Sequence, residues 1–122
     1  MSARHSYPFE KLRVWDGARR LVGEVYGVTK GFPHSEIYGL TSQINRAAVS
    51  VGANLTEGSA RTSRKDQAHF SQLAYSSLME LACLLILGVD LEFALPEDES
   101  RLREAIEALS RQINALRNKQ LC

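Results

Sequence analysis

Apolar positions recur along this chain at the three-to-four-residue spacing of a helix face, and they nowhere alternate with polar ones as a strand requires. From about Leu12 to Lys30 the stripe is Trp15, Ala18, Val22, Val25, Tyr26 and Thr29. Gly31, Phe32 and Pro33 close that helix, because glycine accepts a left-handed turn and proline cannot continue a helix. A second helix is expected over 36–60, with Leu40, Ile44, Ala47, Ala48, Val51 and Leu55 on one side. Ser63-Arg64-Lys65-Asp66 reads as a cap, a serine with an acid three residues later, and opens a third helix over 64–88. Its face is Phe70, Leu73, Ala74, Ser77, Leu78, Leu81, Leu84 and Leu85. Acids and Pro96 between Asp90 and Asp98 mark a turn, and a fourth helix over 97–119 carries the narrow line Leu102, Ala105, Ile106, Leu109, Ile113 and Leu116. Residues 1–8 read as a flexible arm. Four helices of about 20 residues with short connections predict an all-α, antiparallel up-down-up-down four-helix bundle, a single domain over 9–122.

The second helix carries more than its core stripe. Within QINRAAVSVGANLTEGSAR, residues 43–61, a polar line of Gln43, Arg46, Ser50, Asn54, Glu57 and Arg61 steps at the same helical spacing. Between Leu40 and Ala60 the only charges are Arg46 and Glu57, and Leu81–Val89 of the third helix has none. A helix uncharged all round is usually buried all round, yet a four-helix bundle exposes one side of each helix. The surplus predicts contact with another subunit through Val49, Gly52, Ala53, Thr56, Cys83, Ile86 and Leu87. The polar line is then a buried or half-buried seam that sets helix packing and subunit register. A ligand or nucleic-acid groove is the sharper alternative.

Composition changes this picture little. The 122 residues are 44% hydrophobic and 24% charged, ordinary for one folded domain. The net charge of +1 gives no steer toward nucleic acid, and its distribution says more. Residues up to Lys65 hold 10 Lys/Arg against 5 Asp/Glu, and the remainder hold 5 against 9. Such halves can pair within the fold, pair between subunits or present a basic face to a polyanion, and neutralisation inside the assembly is the plainer expectation. Candidate contacts for the latter are Arg4, Arg13, Arg19, Arg20, Arg61, Arg64 and Lys65. Two separated cysteines, Cys83 and Cys122, make no disulfide framework or metal cluster and fit a reducing cytoplasm. No signal peptide is evident, and the longest apolar run is far shorter than the ~20 residues of a membrane span.

Candidate chemistry is sparse. Di-iron bundles require two Glu-x-x-His motifs and two further glutamates, whereas Asp66-Gln67-Ala68-His69 is a single approximation, so no metal or other cofactor is expected. Arg64 and His69 match an Arg-x4-His spacing that resembles the motif of small all-helical ribonucleases of the HEPN type. There the two residues act on the RNA 2′-hydroxyl and phosphate. The plainer interpretation is a positively charged first turn. Ser50, Ser76 and Ser77 have no histidine beside them, and no glycine-rich phosphate loop is present.

A family resemblance is carried by Phe32-Pro33, Glu36, Gly39-Leu40, Gln43-Ile44, Arg46-Ala47-Ala48-Val49-Ser50-Val51, Ala53-Asn54, Glu57-Gly58 and Arg61. Together with Leu12, Val14-Trp15, Ala18, Tyr26, Ser77, Leu78, Glu80 and Leu81, they resemble the 23S rRNA intervening-sequence proteins. The resemblance implies four-helix bundles that assemble as ring-like homopentamers, with no catalytic activity attached. It also implies kinship with retroelement accessory proteins that bind nucleic acid and a reverse transcriptase through a basic surface. This chain departs from the family in having Ser76-Ser77 where Gly-Ser is usual, and from the retroelement relatives in being nearly neutral. The expectation is a non-enzymatic homo-oligomeric module. A nucleic-acid-binding accessory protein is the alternative, and a partner of either protein or nucleic-acid class is left open.

Overall fold

A computed structural model describes residues 4–122. After a short 3-10 turn over Pro8–Lys11, four helices follow: α1 Arg13–Thr29, α2 Leu40–Ser59, α3 Arg64–Asp90 and α4 Pro96–Leu121. Each helix packs on its neighbours in sequence, and α4 closes on α1. Cross-contacts set the directions. The end of α1 meets the start of α2 where Thr29 Oγ1 donates to Asn45 Oδ1 at 2.9 Å. The end of α2 meets the start of α3 at Gly58 and Phe70. The start of α3 meets the end of α4, where Ser71 Oγ donates to Gln120 Oε1 at 2.7 Å. The result is the expected antiparallel bundle.

All six apolar positions expected to face inward on α2 are buried, and α4 buries Leu102, Ile106, Leu109 and Ile113. The stripe on α1 is turned by about one position. Val14, Ala18, Leu21, Val25, Val28 and Thr29 are buried, whereas Trp15 and Val22 are half-buried and Tyr26 is exposed. Large amphipathic rings can flank a core as well as fill it, and periodicity does not separate the two roles. On α3, Leu73 proves exposed and Ala68 and Ser71 buried.

Element ends shift for identifiable reasons. The second helix starts at Leu40 rather than 36, since His34–Glu36 forms a 3-10 turn and Glu36 Oε1 accepts the Leu40 N–H at 3.2 Å. That bond supplies one partner for the four N–H groups that a helix start leaves unpaired. Gly88 does not stop α3, which runs on to Asp90. It is buried, and a Cβ there would come within 3.3 Å of Phe32. The helix ends in a Schellman turn: Phe93 N–H bonds to Gly88 O and Glu92 N–H to Val89 O, both at 2.9 Å. Glu92 takes the left-handed position at φ 63° that glycine usually fills. Residues 1–3 of the expected arm lie outside the described residues. From His5 onward the arm carries successive ring contacts, His5 with Tyr7, Tyr7 with Phe9 and Phe9 with Trp15.

One expectation is corrected. Despite Glu80 and its serines, α3 is long and apolar enough by length and composition to cross a membrane, and only about a third of its most apolar stretch is buried in the protomer. Here it packs between α2 and α4. Within the protomer no ion pair among the described residues joins the basic half to the acidic half. Among the described residues every ion pair is local: Arg4–Glu10, Arg20–Asp16, Arg101–Asp98, Arg103–Glu99 and Arg111–Glu107.

Leu81 is fully buried on α3. Leu81→Ala is expected to destabilise the fold by about 2–5 kcal/mol in urea titration, the usual cost of an unfilled core site. Glu92→Gly is expected to act oppositely, adding about 1 kcal/mol by relieving the left-handed conformation. A lower urea midpoint for Glu92→Gly would contradict that account of the turn.

Candidate functional site

The polar line divides when folded. Its centre is a short hydrogen-bonded latch between α2 and α3. Ser50 Oγ and Ser77 Oγ are 2.8 Å apart, and Asn54 Nδ2 donates to Ser50 O at 2.9 Å and to Ser50 Oγ at 3.1 Å. Ser50, Asn54 and Ser77 are half-buried, where an unpaired hydroxyl or amide would be costly. The rest of the line is not buried within the protomer. Gln43, Arg46, Glu57 and Arg61 are exposed. Arg61 stacks on the Phe70 ring at 4.6 Å, and its carbonyl accepts a bond from Gln67 Nε2. Among the described residues, neither Arg46 nor Glu57 has an ion-pair partner.

Above the latch is a shallow depression of ≈ 720 Å³, lined by Gln43, Arg46, Val49, Ser50 and Ala53 of α2, with Glu80 of α3 and Tyr26 of α1. Val49 is 46% exposed, Leu73 36% and Leu87 43%. Leu73 and Leu87 flank Glu80 seven residues to either side, so all three share one stripe of α3. The expected subunit-contact residues therefore separate. Val49, Ala53, Thr56, Cys83 and Leu87 border this outer α2/α3 face. Gly52 instead lies against α1, where a Cβ would be 3.6 Å from Trp15 Nε1 and 3.8 Å from Ala18. Ile86 is on the opposite flank of α3, beside Arg103 and Glu107 of α4. Small size at 52 serves the fold of the protomer. Helix rotation, which a linear apolar run conceals, sends Ile86 away from Leu87.

The basic candidates collect at one end. The antiparallel arrangement brings together residues 4–20, 50–77 and 109–122. These segments hold 11 Lys/Arg against 4 Asp/Glu, an excess of seven positive charges. The opposite end, residues 21–49 and 78–108, holds 4 against 10, an excess of six negative charges. A nearly neutral chain is thus polarised along the bundle axis. All seven candidates, Arg4, Arg13, Arg19, Arg20, Arg61, Arg64 and Lys65, fall in the basic segments. Lys11, Arg111, Arg117 and Lys119 belong there too, joined to the group by topology rather than by spacing. Arg20 pairs with Asp16 at 3.1 Å, and Arg19 stacks on Trp15 at 5.7 Å. At the acidic end, the hydrogen bond and charge of Glu99 raise the pKa of Arg103 above its usual value.

The ribonuclease geometry does not form. Arg64 Nη1 donates to Cys122 O at 2.8 Å and Nη2 to Lys119 O at 3.4 Å, so the guanidinium holds the last carbonyls of α4. His69 lies against the edge of Phe70. Five residues on a helix is a rotation of about 140°, which points the two side chains apart.

Four antiparallel helices with an apolar core and two unlike exposed regions define an all-α four-helix-bundle protein without an assembled acid–base site at Arg64 and His69. The chain belongs to the 23S rRNA-intervening sequence protein family, which it matches over residues 10–115. Among solved structures it is similar to a protein of unknown function of the S23 ribosomal protein family from Bacteroides thetaiotaomicron. The TM-score is 0.79 at 19% identity, over 86% of this chain and 95% of that one, a likeness of fold. No curated protein matches it.

The latch predicts non-additivity. Ser50→Ala and Ser77→Ala are each expected to cost about 0.5–1.5 kcal/mol, and the double variant scarcely more than the worse single one, since the same bond is lost. Additive losses in denaturant melts would mean that the two hydroxyls act separately.

Proposed function

We propose that this protein is a non-enzymatic, homo-oligomeric interaction module, a pentamer of the ring type that the family resemblance implies, working in the cytoplasm. The observation that carries this reading is the outer α2/α3 face. It combines exposed Val49, Ala53, Leu73 and Leu87 with very few charges, and two of these, Arg46 and Glu57, are without ion-pair partners among the described residues. Apolar side chains beside unpaired opposite charges suit a contact in which a second copy covers the former and pairs the latter. The free cysteines, Cys83 and Cys122, are compatible with a reducing compartment. Light scattering or native mass spectrometry across a dilution series tests the subunit number. Arg46→Ala and Glu57→Ala are expected to lower association at least several-fold while leaving the helical signal of the protomer intact. Unchanged mass and melting temperature in both would remove the assignment.

The charge separation favours a second reading, an accessory protein that binds RNA or DNA through its basic end. Seven excess positive charges concentrated at one end can attract a polyanion that the chain's net charge alone would not. Arg13→Glu with Lys65→Glu is expected to weaken binding of any nucleic acid and flatten its dependence on salt. Unaltered affinity in that double variant would place the contact elsewhere.

A further inference from the structure

The basic end carries a second feature that charge does not require. A file of aromatic rings climbs from the bundle toward solvent. Trp15, half-buried beside Gly52, meets Phe9 at 4.9 Å, with the rings edge to face. Phe9 and Tyr7 are parallel within 4° at 5.7 Å. Tyr7 meets the exposed His5 at 5.1 Å, the two planes nearly perpendicular. Tyr7 is 54% exposed. The backbone beneath is secured by Glu10, whose Oε1 accepts the Tyr7 N–H at 2.9 Å and whose Oε2 pairs with Arg4 at 3.6 Å. At the inner end of the file, Arg19 covers Trp15 at 5.7 Å, and stacking of this kind leaves guanidinium N–H groups free for phosphate. Anchoring the chain would be served by apolar contact alone. Here rings extend outward, between Arg4 and Arg19, at the basic end of the molecule.

We propose that this aromatic file is a stacking platform for single-stranded nucleic acid. A base continues the Phe9–Tyr7 stack on the outer side of Tyr7, at or in place of His5, while Arg4 and Arg19 engage flanking phosphates. The proposal rests on the basic-end reading above and adds strand selectivity to it. A duplex presents its phosphates but keeps its base faces covered, so it gains from the charge and not from the rings. A single strand gains from both, and stacking tolerates any base because each has a flat face.

The test is fluorescence anisotropy with the full chain and four end-labelled probes of equal length: oligo-rU, oligo-dT, and mixed-sequence RNA and DNA duplexes, each over a salt series. Either single strand is expected to bind about 10-fold or more tightly than its duplex. Tyr7→Leu, which keeps an apolar contact on Phe9, is expected to weaken single-strand binding about 5- to 20-fold and leave duplex binding unchanged. His5→Ala removes only an exposed ring and gives a second variant with an undisturbed fold, for which a smaller loss of the same selectivity is expected. Equal affinity for single strands and duplexes, or no loss in either variant, overturns the stacking platform while the electrostatic reading stands. No binding of any probe at low salt overturns both.

Discussion

The close approach of α2 and α3 is the contact on which the rest of the fold depends. Small residues make it possible: Gly58 lies where a Cβ would be 3.0 Å from Phe70 Cβ, and Ala47, Ala48 and Val51 fill the buried side of α2. With the helices that near, Ser50 and Ser77 bond directly, and Asn54 braces Ser50 from one turn away. Dispersion and a satisfied polar pair then act at the same place, one giving attraction and the other register. Once this pair is set, α1 packs on α2 and α4 on α3, and α1 and α4 close the ring through fewer contacts.

That arrangement also creates the charge axis. Antiparallel packing places the start of α1, the end of α2, the start of α3 and the end of α4 at one pole. Each of those segments is basic or nearly balanced, and none contributes a strong acidic run. The ion pairs that form are local turns of single helices, worth little at a solvated surface. Nothing in them cancels the separation between poles. The molecule therefore has a near-zero total charge and a strong directional field, and it is the second property that governs encounter with a charged partner.

The two exposed regions use different parts of the bundle. The outer side of α2 and α3 lies along the middle of the bundle, whereas the aromatic file and most of the cations belong to one end. The proposed assembly and the proposed nucleic-acid binding would therefore use separate surfaces. A ring of parallel bundles would align the basic ends on one rim, multiplying their field at the cost of repulsion between like poles.

Helix number, type and order were legible in the sequence, because an apolar period of three to four residues on a chain with short connectors admits few other folds. The inward face of α2 was legible at its six apolar positions, since Gln43, Arg46 and Glu57 mark the outward side, whereas the burial of Gly58 against Phe70 was not. The α1 stripe was not, because Trp15, Val22 and Tyr26 are apolar enough for the core and bulky enough to border it. The polar line was visible as a line, but not its division into a latch at Ser50 and Asn54 and exposed charges at Arg46 and Glu57. That depends on Ser77, 27 residues away. The position of Arg64 on the last carbonyls of α4, more than 50 residues along the chain, was likewise beyond any local pattern. The sequence by itself determined which segments are helices and the apolar lines that α2 and α4 bury, because periodicity within one element carries that information where the outward side is polar. Only the tertiary structure decided which residues meet across elements, since partnership depends on direction and rotation. In this protein those two quantities turn scattered cations into a pole and four aromatic residues into a file.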